Sequence, residues 1–158
     1  MGGVTDVLLA AARDAERGRI RKAKAAVETL RLRHEKTAAE ISKATGRTVA
    51  FNGAPLAELQ TALAGVSMLR ERTARVTDLI SSFGERLSSP LLAATLEAID
   101  VPSRAVDART FLVTDENHGD ARCDRRRTDP KVRRVLLPLT KGGIVPVVTG
   151  FIGRSPQG

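Results

Sequence analysis

Apolar residues recur at helical spacing as far as Ile99, and then the spacing changes. That change near residue 100 constrains the fold more than any other feature. Val4 to Arg17 is rich in Ala and Leu, with Gly18 as a stop signal and Thr5 or Asp6 as the expected cap. Ile20, Ala23, Val27, Leu30, His34, Ala38 and Ile41 then alternate three- and four-residue steps, with a slip at Ala38. They mark one face of a helix that Gly46 ends. A second such face, Leu56, Leu59, Leu63, Val66 and Leu69, predicts a helix from Pro55 to about Arg72. Val76, Leu79, Ile80 and Phe83 begin another, which continues to Ile99.

Beyond Asp100 the runs are short and β-branched. Val101–Asp107 and Phe111–Thr114 predict strands, and Asp115–Asp120 is dense in turn formers. Thr128-Asp129-Pro130 has the form of a helix start, Gly142-Gly143 closes that helix, and Ile144–Thr149 predicts a buried strand. Pro146 limits that strand's ladder bonding. The order β, β, α, β implies part of a layered α/β sheet. The expected organisation is residues 1–100 mainly helical and 101–158 the β/α sheet portion of one unit.

Composition excludes several classes. Cys123 is the single cysteine and there are two histidines, so no intramolecular disulfide and no spaced zinc set exists. No apolar run reaches the roughly 20 residues that span a bilayer. Met1-Gly2-Gly3-Val4-Thr5-Asp6 lacks the basic start and apolar core of a signal peptide, so the expected compartment is the cytoplasm. The net charge of +8 sits in two blocks. Residues 17–36 carry eight basic and two acidic side chains, and residues 118–141 carry eight and three. Arg125-Arg126-Arg127 with Lys131, Arg133 and Arg134 would suit phosphates, which raises a basic nucleic-acid-binding module as an alternative. Neither block interleaves aromatics for base stacking, so solvated helix faces are the preferred reading. His34 falls on an apolar seam and reads as a core histidine; His118 lies in a turn without an evident partner; Cys123 reads as a surface or half-buried thiol.

Three segments carry chemistry. Gly2-Gly3-Val4-Thr5-Asp6 precedes a helix, where exposed N–H groups suit an anion. Ser82-Phe83-Gly84-Glu85-Arg86-Leu87-Ser88 places Glu85 at the expected opening of a helical stretch, where the macrodipole favours an acid. Val147-Val148-Thr149-Gly150-Phe151-Ile152-Gly153 feeds an apolar strand into glycines that permit close approach or a tight turn. In this order, with Val106-Asp107-Ala108-Arg109 and Gly119-Asp120-Ala121 between them, the segments resemble the catalytic domain of aspartokinases, in the amino-acid kinase superfamily. The resemblance runs from Gly2 to Gly158.

It implies a partial three-layer α/β/α sandwich with a helix-rich first half. It also implies transfer of the γ-phosphoryl of MgATP to the side-chain carboxylate of L-aspartate, the first step toward lysine, threonine and methionine. By position, Thr5 matches a threonine in the aspartate pocket, Glu85 the carboxylate that holds the aspartate amino group, and Phe151 a phenylalanine lining that pocket. The family's Lys-Phe-Gly-Gly-Thr-Ser segment has no counterpart here, nor does its Gly-Arg-Gly-Gly-Ser-Asp segment; Arg154 lies too early to stand for that arginine. The expectations are therefore a piece of one kinase domain, inactive by itself, that retains no catalytic, nucleotide-binding or metal residue. A homo-oligomer, or a partner supplying the missing segments, is expected. The family also occurs fused to homoserine dehydrogenase or diaminopimelate decarboxylase.

Overall fold

A computed structural model describes residues 2–157. Met1 and Gly158, the far end of the resemblance, lie outside the described residues. Four helices account for the first hundred residues: α1 (Val4–Glu16), α2 (Ile20–Thr45), α3 (Ala54–Leu69) and α4 (Ala74–Ala98). Their apolar faces meet in one core around Leu8, Leu30, Leu59, Leu63, Ile80 and Phe83, all essentially inaccessible to water. Burying each such side chain contributes about 1.5–3 kcal/mol. The alanines of α1 (Ala11, Ala12 and Ala15) are buried too, and their small size lets neighbouring helices close on it. Thr73 caps α4 by accepting a hydrogen bond from Val76 N at 3.2 Å. A second cluster joins Ala38, Val49, Leu91 and Ala98.

The chain then forms β1 (Ser103–Val106), a 3-10 turn (Ala108–Thr110), α5 (Arg125–Lys141) and β2 (Val145–Val148). β1 and β2 pair in parallel, Ser103 with Val145 through Val106 with Val148, and α5 makes the crossover that parallel pairing requires. Side chains alternate across a strand. Ser103 donates to the Ala93 carbonyl of α4 at 2.7 Å. Val106 and Val148 pack with Leu139, Val132, Val135 and Leu136 of α5. The sheet thus lies between α4 and α5, in the α/β/α layering expected.

Four local expectations change. Gly3, at φ 76°, precedes α1 and no side chain caps it; Thr5 and Asp6 are already helical. Phe111–Thr114 is not a strand. Phe111 N and Leu112 N donate back to the Ala108 carbonyl, so only isolated bridges remain, Val113 to Arg154 and Thr114 to Cys123. α5 begins three residues earlier than expected, capped by Asp124, which accepts from Arg127 N at 3.1 Å. Thr128 cannot cap because its buried hydroxyl is engaged with Val113, accepting from Val113 N at 3.0 Å. His118 does have a partner, Asp78 of α4, at 3.6 Å.

His34 is fully buried, as its position on the seam of α2 predicts. Nδ1–H donates to the Leu30 carbonyl at 2.7 Å, and the ring stacks on Phe51 with centroids 5.1 Å apart. Nε2 meets no partner among the described residues. Burial, the largest influence, lowers the pKa of this imidazole, and the Arg33 charge adds to it; the Leu30 bond works the other way. The folded ring is therefore neutral where the unfolded one, near pH 6.5, already takes up a proton. The sign follows: stability is fully present above about pH 6.5 and falls as pH drops below it, because the unfolded chain binds more protons there. Urea midpoints at about pH 7.5 and 5.5 check this. His34→Leu is expected to show a smaller fall than the wild type; equal falls would overturn the account.

Candidate functional site

Glu85 lies in the middle of α4, three turns from its start, not at the helix opening that the sequence suggested. Its placement comes from contacts with other elements, not from the macrodipole. Gly84 beside it is where α1 crosses α4. A methyl group built on Gly84 would stand 3.6 Å from Val4 Cγ1 and Leu8 Cδ1 and 3.8 Å from Thr5 Oγ1. The first turn of α1 thus stands against α4 at Gly84, which puts Thr5 beside the residue that precedes Glu85.

The third segment arrives from the sheet. Gly150, just past the C-terminal end of β2, donates its N–H to Glu85 Oε2 at 3.0 Å. A methyl group on Gly150 would sit 3.3 Å from that oxygen, tighter than ordinary contact, so a side chain there would push the Glu85 carboxylate back by a few tenths of an ångström. Phe151 follows at φ 54°, a left-handed conformation costly for an aromatic residue, with its ring fully exposed. The structure therefore joins Glu85 to the Gly150 turn at the C-terminal end of the sheet, where ligands bind in open α/β folds, with Thr5 against neighbouring Gly84 and the Phe151 ring turned out to solvent. Glu85 Oε1 takes no hydrogen bond among the described residues. A half-buried carboxylate with one oxygen fixed and one free suits an ammonium group.

Several contributors were not singled out from the sequence. Asp78, two turns before Glu85 on α4, accepts from Gly119 N at 2.8 Å and holds the 115–120 loop across the same helix. Arg86 lies over the Phe83 ring, 4.4 Å from its centroid. It reaches Glu58 of α3 with two bonds, Nη1 to Oε1 at 3.0 Å and Nη2 to Oε2. Asp107 caps the 3-10 turn, accepting from Arg109 N at 3.0 Å, and also accepts from the Arg109 side chain. The Arg86 hydrogen bond, foremost, holds Glu58 below the usual carboxylate range. Burial works to raise Asp107, but the hydrogen bonds and charge of Arg109 outweigh it and leave it lowered. Arg109 is raised in turn, mainly by its bond to Asp107. Glu58, Arg86, Asp107 and Arg109 thus alternate in sign, and the last three line a cavity of about 260 Å3 together with Asn52, Ser89 and Thr149. The acid-then-base pairing of Asp107 and Arg109 is visible in the sequence. The Glu58–Arg86 link spans 28 residues and two helices, and leaves no local signal.

A family model described as the amino acid kinase family matches residues 1–158. The chain belongs to that family. Among its relatives, Aspartokinase 1, chloroplastic, of Arabidopsis thaliana is 38% identical over 104 residues, which is 63% of this chain and 18% of that protein. Aspartokinase 3, chloroplastic, of the same plant is 36% identical over 124 residues, 77% of this chain and 21% of that protein. An aspartokinase of Thermus thermophilus is 34% identical over 86 residues, 53% and 20% of the two chains. The amino acid kinase fold is shown by E. coli aspartokinase III in complex with aspartate and ADP in its R-state. It matches all of this chain and 34% of its own, with TM-score 0.78 and 22% identity. The T-state structure with lysine and aspartate matches the same shares with TM-score 0.75. The chain spans about a fifth of the length of these curated relatives and a third of the solved structures.

Proposed function

We propose that the chain forms the substrate-binding part of an aspartate kinase, with Glu85 holding the L-aspartate ammonium and Thr5 and Phe151 lining its pocket. The carrying observation is the bond between Glu85 Oε2 and Gly150 N, which joins two segments 65 residues apart. The aspartokinase names of the relatives and the aspartate-bound solved structures support the same reading. In the reaction, a side-chain oxygen of aspartate bonds to the γ-phosphorus of ATP while the bond to the β–γ bridging oxygen breaks, giving 4-phospho-aspartate and ADP. Such chemistry depends on positioning and charge stabilisation. Magnesium would accompany the nucleotide. Among the described residues no group of three His, Cys, Asp or Glu fits a metal, and no residue is assigned to it. Residues 1–158 belong in this reading to one kinase domain, the helical part before residue 100 and the sheet part after it.

The proposed partners are L-aspartate, ATP and a second copy of this chain or a companion segment. Exposed Ile99, Leu137 and Val145 support such pairing. No described helix is long and apolar enough to cross a membrane, and the cytoplasm is the compartment proposed. The basic block of α2 is partly neutralised within the helix, Arg31 reaching both Glu28 and Glu35 at 2.5 Å, which supports a solvated face over a nucleic-acid surface.

The test is aspartate-dependent ADP release by the chain, and by the longest natural reading frame that contains it, with hydroxylamine trapping the acyl phosphate. Hydroxamate formed in proportion to ADP is the expected result. Absence of both turnover and calorimetric aspartate binding in the longer protein would overturn the reading.

A further inference from the structure

We infer that Thr149 is a positioning residue whose hydroxyl clamps the turn after β1 to the Gly150 turn and so sets the N–H that holds Glu85. Its relevance to aspartate rests on the function proposed above; the clamp itself does not.

β2 ends at Val148, opposite Val106. The ladder is short, and Pro146 contributes no N–H to it. Beyond the ladder, Thr149 makes two further bonds, one to β1 and one to the 3-10 turn that follows it. Its N–H donates to the Val106 carbonyl at 3.1 Å, and its Oγ1 accepts from Ala108 N at 2.8 Å. Both ends of the second bond are shielded from water, Thr149 being 6% and Ala108 2% exposed, so solvent does not replace it. The turn it grips is itself stiff. Asp107 accepts from Arg109 N with its side chain, and its carbonyl accepts from Thr110 Oγ1 at 2.7 Å.

The next two residues need that grip. Gly150 N must stay 3.0 Å from Glu85 Oε2, and Phe151 must stay at φ 54°. A phenylalanine held there relaxes to negative φ when its neighbours release it. That relaxation rotates the peptide planes of the turn and takes the Gly150 N–H off Glu85. The carboxylate then loses the contact that fixes one oxygen and leaves the other free for a ligand. Thr149 need not touch the ligand to control this.

Thr149→Val keeps the shape and removes the acceptor; Thr149→Ser keeps the acceptor. Three readouts separate the roles: the Gly150 amide proton shift and exchange rate by NMR, L-aspartate affinity by calorimetry, and Tm. Glu85→Ala supplies the reference for a Gly150 amide with no carboxylate partner. T149V is expected to move the Gly150 amide to that reference and to raise the aspartate Kd about tenfold. T149S is expected to keep both near wild type. A T149V protein whose Gly150 amide matches wild type would overturn the inference, and so would T149S losing the contact as T149V does. If T149V does not fold, T149S decides alone, since loss of the Gly150 contact there sinks the proposal and its retention supports it. If the Gly150 shifts behave as expected and the wild type binds no aspartate, the clamp stands and the aspartate reading fails.

Discussion

Glu85→Ala is expected to weaken L-aspartate binding about 30- to 150-fold while leaving the fold intact. A hydrogen bond to a charged group is worth roughly 2–3 kcal/mol, and each 1.4 kcal/mol is a factor of ten in affinity. Glu85 is half-buried, so the lost ammonium contact is only partly replaced by water. The residue lies in the interior of α4 but outside the helical core, where alanine favours the helix. The structural cost is the Gly150 N–H left without its acceptor, about 1 kcal/mol. Glu85→Gln separates the two parts, because its amide oxygen still accepts from Gly150 while the charge is gone. The expected order of affinity is wild type, then Gln, then Ala, read by isothermal titration with aspartate. Equal affinity in all three proteins would remove Glu85 from the site.

The helical half was legible because its signal is local. Leu8, Leu30, Leu59 and Phe83 sit at helical spacing on faces that do form the core, and Gly18 and Gly46 take positive φ where the helices stop. The sheet half was legible in outline for a similar reason, since Val145–Val148 is a short β-branched run and Ser103–Val106 follows the Pro102 turn and ends on Val106. What the sequence hid was decided by contacts far along the chain. Thr128 has the chemistry of a helix cap, yet Val113 claims its hydroxyl 15 residues away and Asp124 caps instead. Phe111–Thr114 has strand composition, yet its first two N–H groups turn back to Ala108 and Val113 N goes to the Thr128 hydroxyl. The same holds for the candidate site. Thr5, Glu85 and Phe151 were found by resemblance, but the contact that ties Glu85 to the sheet comes from the Gly150 N–H, 65 residues along the chain. Arg86 and Thr149 stand next to residues that were singled out. Their roles come from Glu58 and Ala108, which no spacing rule links to them.

Phe83→Ala is expected to cost about 3–5 kcal/mol of folding stability, the range for emptying a fully buried aromatic site. Against a typical total of about 5–15 kcal/mol, that loss is large enough to populate unfolded chain at moderate temperature. Phe83 is inaccessible to water in the core shared by α1 to α4, so its removal leaves a cavity that four packed helices close only in part. It also withdraws the ring beneath the Arg86 guanidinium, worth about 0.5–1 kcal/mol more at a partly exposed site. Phe83→Leu keeps most of the apolar volume and loses the ring, so the two variants divide the packing from the cation–π contribution. The leucine variant is expected to lose less than half as much as the alanine variant. Urea unfolding followed by circular dichroism measures both, with an unchanged m-value showing that stability alone has moved. A loss below about 1 kcal/mol for Phe83→Ala would mean that this residue is not the packing point joining α4 to its neighbours. The same measurement bears on the site. Glu85 stands two residues after Phe83 on the same helix, so an α4 that shifts to fill the cavity also moves the carboxylate relative to Gly150. Phe83→Ala is therefore expected to weaken aspartate binding at temperatures where it remains folded, whereas a core substitution in the other helical cluster, such as Val49→Ala, lowers stability and leaves affinity near wild type.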